Sequence, residues 1–178
     1  MMNKKLVILG AGESGIGAAF LGIKKGYDVF LSDNENIGKK LQKILDENNI
    51  SWESGKHSLS KIETADFIVK SPGIPSDLPL ISLLKSQGKK IISEIEFAAR
   101  HTSATLIGIT GTNGKTTTTL LTYKILKDAG LNVGIAGNIG KSFAFQVAQM
   151  NYDYYVLEIS SFQLDDIIDF APKISVIT

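Results

Sequence analysis

The chain has 178 residues, 43% of them hydrophobic, with 19 Lys and Arg against 18 Asp and Glu, for a formal charge of +1. That length allows one ordinary domain or two small ones, and the charge balance supplies no electrostatic case for a nucleic-acid partner. Cysteine is absent and His57 and His101 are the only histidines, which excludes a disulfide frame, a thiol nucleophile, a thiolate metal site and a multi-histidine metal site built from this chain. Both histidines are expected in solvated or core-edge positions.

The apolar part of the opening MMNKKLVILGAG is too short for a signal peptide, and no run approaches a membrane span. The expectation is a soluble cytoplasmic protein without a membrane partner. Residues 6–9 (LVIL) form a buried-strand run that feeds GAGESG at 10–15; a helix follows and stops at Gly26, and residues 29–31 make a second strand. Gly10, Gly12 and Gly15 have the G-x-G-x-x-G spacing, and Asp33 closes the second strand about 20 residues on, as a dinucleotide fingerprint requires. The pattern specifies the βαβ fold more strongly than the ligand, since a nucleotide ribose or base could use Asp33 as readily as NAD. Glu13, inside the loop, would repel a pyrophosphate and is expected to point outward, complementing the helix N-terminus.

Residues 37–48 carry Ile37, Leu41, Ile44 and Leu45 at helical spacing, and 51–55 read as a short strand in which Trp52 packs. Residues 65–70 (ADFIVK) are the next strand. They run into SPGIP at 71–75, where two prolines around Gly73 make a stiff, unpaired loop. Open α/β sheets bind ligands at such strand ends, although a plain rigid turn explains the residues equally well. A helix over 79–87 stops at Gly88, and KIIS at 90–93 is a short strand. Ser93 and Glu96 then form a capping-box pattern, and Glu96 is read as helix-end electrostatics.

The second half predicts strands at 105–110, 132–135, 152–159 and 173–178, with helices at 116–128 and 142–150. The division near 93–104 is too short for a flexible linker, so the halves should touch. LIGITGTNGKTTTT, at 106–119, is the stretch with the most chemistry. Gly111 and Gly114 let backbone N–H groups close around an anion, Lys115 places a charge on outer phosphates, Thr116 offers a hydroxyl to Mg²⁺, and the helix dipole adds to both. Ile109 occupies the first glycine position of the general P-loop pattern, so GTNGKT is a shorter version of it. Glu158 ends an apolar strand and, beside a P-loop strand, would be the second Mg²⁺ anchor; Ser160, Ser161 and Gln163 bring donors to the same edge. Asn138, between two glycines in AGNIG, either meets a substrate or holds a turn.

GTNGKTTT, GNIG at 137–140 and LEISSFQL at 157–164 resemble the ATP-binding central domain of the Mur ligases. GAGESG, SPGIP and SEIEF are similar to the first domain of the family's D-glutamate-adding branch. The resemblance implies an α/β fold: a Rossmann-like N-terminal domain over 1–93, followed by an incomplete P-loop-type ATPase domain over 94–178. It implies ATP and Mg²⁺ as cofactors, and activation of the carboxylate of UDP-N-acetylmuramoyl-L-alanine as an acyl phosphate that D-glutamate attacks. By this resemblance Lys115 and Glu158 are catalytic, Thr116 and Glu158 hold the metal, and Gly111, Thr112, Asn113, Gly114, Lys115, Thr116 and Thr117 bind ATP. Gly12, Glu13 and Ser14 would lie at the uridine diphosphate, and Asp33 and Asn34 at uracil. Ser71, Pro72, Gly73, Asn138, Ser160 and Gln163 would line the substrate path.

Such ligases have three domains, so the chain is expected to be an N-terminal piece that binds without turnover. A half-built sheet would expose an apolar edge and favour self-association. A non-catalytic UDP-sugar module shares the same sites. The alanine-adding ligase is opposed by SPGI and SSFQL, and an NAD-dependent oxidoreductase leaves GTNGKT unexplained.

Overall fold

Short β-branched runs alternate with helical segments throughout the chain, and a computed structural model describing residues 3–178 resolves them into two parallel sheets. The first contains β1 (Lys5–Leu9), α1 (Glu13–Lys24), β2 (Asp28–Asp33), α2 (Lys39–Glu47), β3 (Ser51–Ser54), α3 (Leu59–Ile62), β4 (Phe67–Lys70), α4 (Pro79–Ser86) and β5 (Ile91–Ser93), with strand order β3-β2-β1-β4-β5. After α5 (Glu94–Ala99) come β6 (Thr105–Thr110), α6 (Lys115–Asp128), β7 (Val133–Gly137), α7 (Phe143–Gln149), β8 (Tyr154–Glu158), α8 (Ser161–Leu164) and β9 (Ile174–Ile177), ordered β7-β8-β6-β9.

Side chains alternate across a strand, so a strand covered on both faces is apolar throughout. In β1, Leu6 and Ile8 face one cluster and Val7 and Leu9 the other, all fully buried. The Val7 side is closed by Ile62, Ile81 and Leu84. The Leu6 side continues through Ala18, Leu21, Ile95, Phe143 and Val147 into Leu106, Tyr155 and Leu157 of the second sheet. Helices α1, α5 and α7 are therefore one layer shared by both sheets. Close approach of α1 to α7 requires Gly17, because a Cβ there would lie 1.8 Å from the Ser142 hydroxyl. His101 packs edge-on against Phe97 and Tyr27 at the rim of this layer, the core-edge position expected of it.

On the far face of the second sheet, Tyr123 and Leu126 cover Ile107, Ile109, Val133 and Val156. Leu120, Leu121 and Ile125 are exposed, and edge strand β9 leaves Ile174 and Ile177 51% and 83% exposed. Among the described residues, no helix is long and apolar enough to cross a membrane.

Several local expectations change. Helix α1 begins at Glu13, not after the loop, because Gly12 is its extended N-cap; Glu13 and Ser14 therefore lie in its first turn. Ile37 precedes α2 as a buried lead-in, and α3 and α8 have only 4 residues each, too few for a periodic signal. The loop after β4 is not unpaired: Ser71 N–H donates to Leu9 O and Ile74 N–H to Ser71 O, at 2.9 and 3.0 Å.

The larger correction concerns Glu96. Ser93 does accept from Glu96 N–H, as an N-cap should. The Glu96 side chain, however, is fully buried and does not turn back to the Ser93 amide, which donates to Asp166 O instead. Its Oε2 accepts N–H groups from Ile168, Asp169 and Phe170 at 3.2, 3.0 and 2.7 Å, and Oε1 pairs with Arg100 at 2.7 Å. Burial pushes its pKa up, but Arg100 and the three amides outweigh burial and hold it below the ordinary carboxylate value.

Glu94 behaves oppositely. It is buried under α7, with Oε1 accepting Ala144 N–H and Oε2 unpartnered. Burial, with a small addition from Glu13, prevails over the amide and hydroxyl donors and pushes it up to about 7. The folded state then binds more protons than the unfolded chain between the ordinary carboxylate value and about 7, so stability falls as pH rises through that window. The span corresponds to roughly 3 kcal/mol. Glu94→Gln removes this contribution and is expected to leave the protein about 2–3 kcal/mol more stable than wild type at pH 8, with little difference near pH 4.5, as read by urea denaturation at the two pH values.

Candidate active site at the carboxyl ends of the two sheets

Strand β6 ends at Thr110, and the loop that follows must reverse into α6 within four residues. Gly114 makes the reversal possible as an N-cap in left-handed conformation, at φ 80°. Lys115 is then the first helical residue, and its Nζ donates to the loop carbonyls of Gly111 and Thr112 at 2.8 and 3.4 Å. Thr112 N–H reaches Thr178 O, while the Thr178 hydroxyl donates to Asn113 O at 2.6 Å. Residues 111–117 are thus gathered around the amino end of a 14-residue helix, a geometry suited to a polyanion.

Glu158 ends β8, which lies beside β6 with Ile109 paired to Glu158. The carboxylate is 1% exposed, yet both oxygens are used: Thr116 Oγ1 donates to Oε2 and Asn138 Nδ2 to Oε1, each at 2.7 Å. Asn138 N–H also donates to Glu158 O. Asn138 therefore positions the carboxylate as well as shaping its turn. Ser160 and Gln163 form the capping box of α8: Ser160 N–H donates to Gln163 Oε1 at 2.9 Å, and the Ser160 hydroxyl does so at 3.1 Å. These bonds build the scaffold behind Glu158.

At the first sheet, Asp33 braces the glycine loop. Its Oδ2 accepts Ala11 N–H at 2.5 Å and its Oδ1 accepts Glu35 N–H at 2.8 Å. Ser71 packs on the same loop, its hydroxyl 3.4 Å from Gly10 O. Open space surrounds the position a Gly12 side chain would fill. A cleft of about 550 Å³ lies beside these groups, lined by Gly10, Asp33, Asn34, His57 and Gly73, with an apolar wall that includes Leu78. A wider depression of about 770 Å³ opens at the amino ends of β1, β2 and β3, around Lys5, Asp28 and Trp52, away from the strand ends that carry the motifs. There Trp52 packs on the core and donates its indole N–H to Asp46.

His57 is a cleft residue that motif reading missed. Ser32 Oγ donates to Glu53 Oε1 at 2.8 Å, so its single proton is committed, and His57 Nδ1 at 2.7 Å must be the donor in return. Burial lowers the His57 pKa against the opposing pull of Asp33 and Glu53, which favours the neutral ring with Nε2 as an acceptor. The signal available in sequence was its place just beyond the third strand of a parallel sheet, at the end where ligands bind.

Among the described residues, no three His, Asp or Glu side chains cluster as a metal cage. The Thr116–Glu158 pair is a hydroxyl and one carboxylate, the donor set that suits Mg²⁺ shared with phosphates and water.

Comparison with known proteins divides at the same places. Residues 4–93 match the Mur ligase MurD-like N-terminal domain, and residues 109–178 match the Mur ligase middle domain. The UDP-N-acetylmuramoylalanine–D-glutamate ligase of Bacteroides fragilis is 59% identical over 174 residues, 98% of this chain and 39% of the relative. The pseudomurein peptide ligase type C of Methanothermus fervidus is 33% identical with a TM-score of 0.52, covering 89% of this chain and 33% of that one. The murein peptide ligase Mpl of Psychrobacter arcticus, 22% identical, shares the fold at a TM-score of 0.60 over 97% of this chain and 42% of its own.

Proposed function

The chain belongs to the Mur ligase family, and on that premise we propose that it is part of the ATP-dependent ligase that joins D-glutamate to UDP-N-acetylmuramoyl-L-alanine in peptidoglycan precursor synthesis. The observation that carries the proposal is the Thr116–Glu158–Asn138 constellation set against GTNGKT. In the proposed reaction ATP supplies the phosphoryl group that activates the alanyl carboxylate, and Mg²⁺ neutralises phosphate charge. Thr116 and Glu158 would hold the cation, with Asn138 fixing the Glu158 carboxylate. Lys115 would shed its bonds to Gly111 and Thr112 for the phosphates, where a charge aimed at the transferring group lowers the barrier.

Gly12, Glu13 and Ser14 would meet the diphosphate at the start of α1, with Asp33, Asn34 and the 550 Å³ cleft at uracil. Ser71, Pro72 and Gly73 would lead the sugar toward Asn138. The cellular setting of the proposal is the cytoplasm, where ATP is supplied. The chain spans 39% of the length of the B. fragilis relative, so binding without turnover is proposed for these 178 residues, with most of the D-glutamate site elsewhere. The exposed β9 edge would also let the isolated chain self-associate.

Calorimetry with UDP-N-acetylmuramoyl-L-alanine, with NAD⁺ as control, tests the reading. Heat from the UDP-sugar alone is expected. Binding of NAD⁺ alone would overturn the ligase assignment of the first sheet.

A further inference from the structure

Lys70 is the last residue of β4, directly before the 71–75 turn, and its side chain is only 2% exposed. Lysine is rarely buried to this degree without partners, because an unpaired ammonium in the interior is strongly penalised. Two partners hold it, and they come from different parts of the fold. Nζ donates to Ile74 O at 2.6 Å, closing the turn over its own strand, and pairs with Asp166 Oδ2 at 2.9 Å. Asp166, 4% exposed at its side chain, belongs to the segment that follows α8. That segment is fixed from three further directions: Asp166 O accepts Ser93 N–H at 2.9 Å, its Oδ1 meets Lys85 at 3.4 Å, and the amides of 168–170 lie on Glu96.

The same segment is continuous with the capping box behind Glu158. One ammonium therefore touches the turn that walls the first-sheet cleft and the chain running back to the carboxylate beside the phosphate loop. A further cavity, of about 300 Å³, lies at this junction between Gly73, Pro75, Phe162 and Asp165.

We propose that Lys70 is a positioning residue for the UDP-sugar cleft: through Ile74 O and Asp166 it sets the 71–75 turn by reference to the segment that follows Glu158. The proposal rests on the reading of that cleft given above. It requires that loss of the pair loosen the turn and weaken UDP-sugar binding while nucleotide binding at residues 111–117 is kept.

The test uses this chain with Lys70→Met and Asp166→Leu combined, since removing both charges together avoids an orphaned ion. Expected are a folded protein, exchange of the Ile74 amide at least about tenfold faster than in wild type, UDP-N-acetylmuramoyl-L-alanine affinity lowered about tenfold, and unchanged MgATP affinity. Wild-type exchange at Ile74 or wild-type UDP-sugar affinity in the folded double variant overturns the proposal. Equal weakening of both ligands, the mark of general destabilisation, overturns it too. Should the double variant not fold, Asp166→Asn, isosteric and still an acceptor, carries the same readouts. If wild type binds no UDP-sugar, the reading of the cleft fails on its own, and Ile74 exchange still decides whether Lys70 holds the turn.

Discussion

Replacing Lys115 by methionine is expected to weaken MgATP binding by this chain about 10- to 100-fold in calorimetry, the effect of one charge-assisted contact to phosphate. Stability should scarcely change. The Lys115 side chain is partly exposed, and its bonds are to two carbonyls of its own loop, both of which water can reach once it is gone. A loss of affinity without a loss of stability separates a ligand-facing charge from a structural one. Unchanged MgATP affinity would remove Lys115 from the nucleotide site and with it the reading of GTNGKT as a phosphate loop.

The largest loss of stability is expected from Glu96→Ala. The substitution leaves the N–H groups of Ile168, Asp169 and Phe170 and the Arg100 guanidinium without their common acceptor. Orphaning the three part-buried amides costs about 1–2 kcal/mol each, while Arg100, 32% exposed, keeps Asp169 as a partner and adds little. Urea denaturation should register a loss of about 3 kcal/mol or more. The pH dependence follows from the lowered pKa. In wild type the Glu96 contribution is complete above the ordinary carboxylate value and is lost as pH falls through the lower folded value. The gap between wild type and Glu96→Ala should therefore narrow in acid because wild type loses stability there, whereas the protonation of Glu94 adds to wild-type stability over the same direction of pH. A variant within about 1 kcal/mol of wild type at pH 7 would show that the 165–170 segment is held by other contacts.

The parts of the molecule that were legible in the sequence are those whose causes are local. Residues 6–33 carry their own βαβ punctuation, and Gly114, Lys115 and Thr116 sit at a strand-to-helix junction that few other chemistries would require. Glu158 could be found because an acidic residue ending an apolar strand needs explaining. The full role of Glu96 was hidden: its position in a capping-box pattern supplied a sufficient local account, while the three amides its side chain accepts lie more than 70 residues away in a segment with no motif. The partner of Lys70 is equally remote, since Asp166 lies 96 positions on in the same unmarked segment. The bonds by which Ser160 and Gln163 cap α8 have no separate mark in the sequence, where these residues show only as donors at one sheet edge. The shared helical layer was also hidden, since an apolar face reveals that it is covered and not by what.

That layer has a consequence for how the chain could be divided. Because α1, α5 and α7 serve two sheets at once, neither sheet owns the core that stabilises it. A cut between residues 100 and 104 would yield one half with α1 and α5 stripped of their outer cover and another with α7 facing water. The halves are thus not interchangeable modules: a first domain grafted onto another nucleotide-binding partner would need that partner to present a matching helix and a serine opposite Gly17. Rigid-body motion in a longer protein would accordingly hinge elsewhere than at residues 100–104, with both strand ends moving together as one platform.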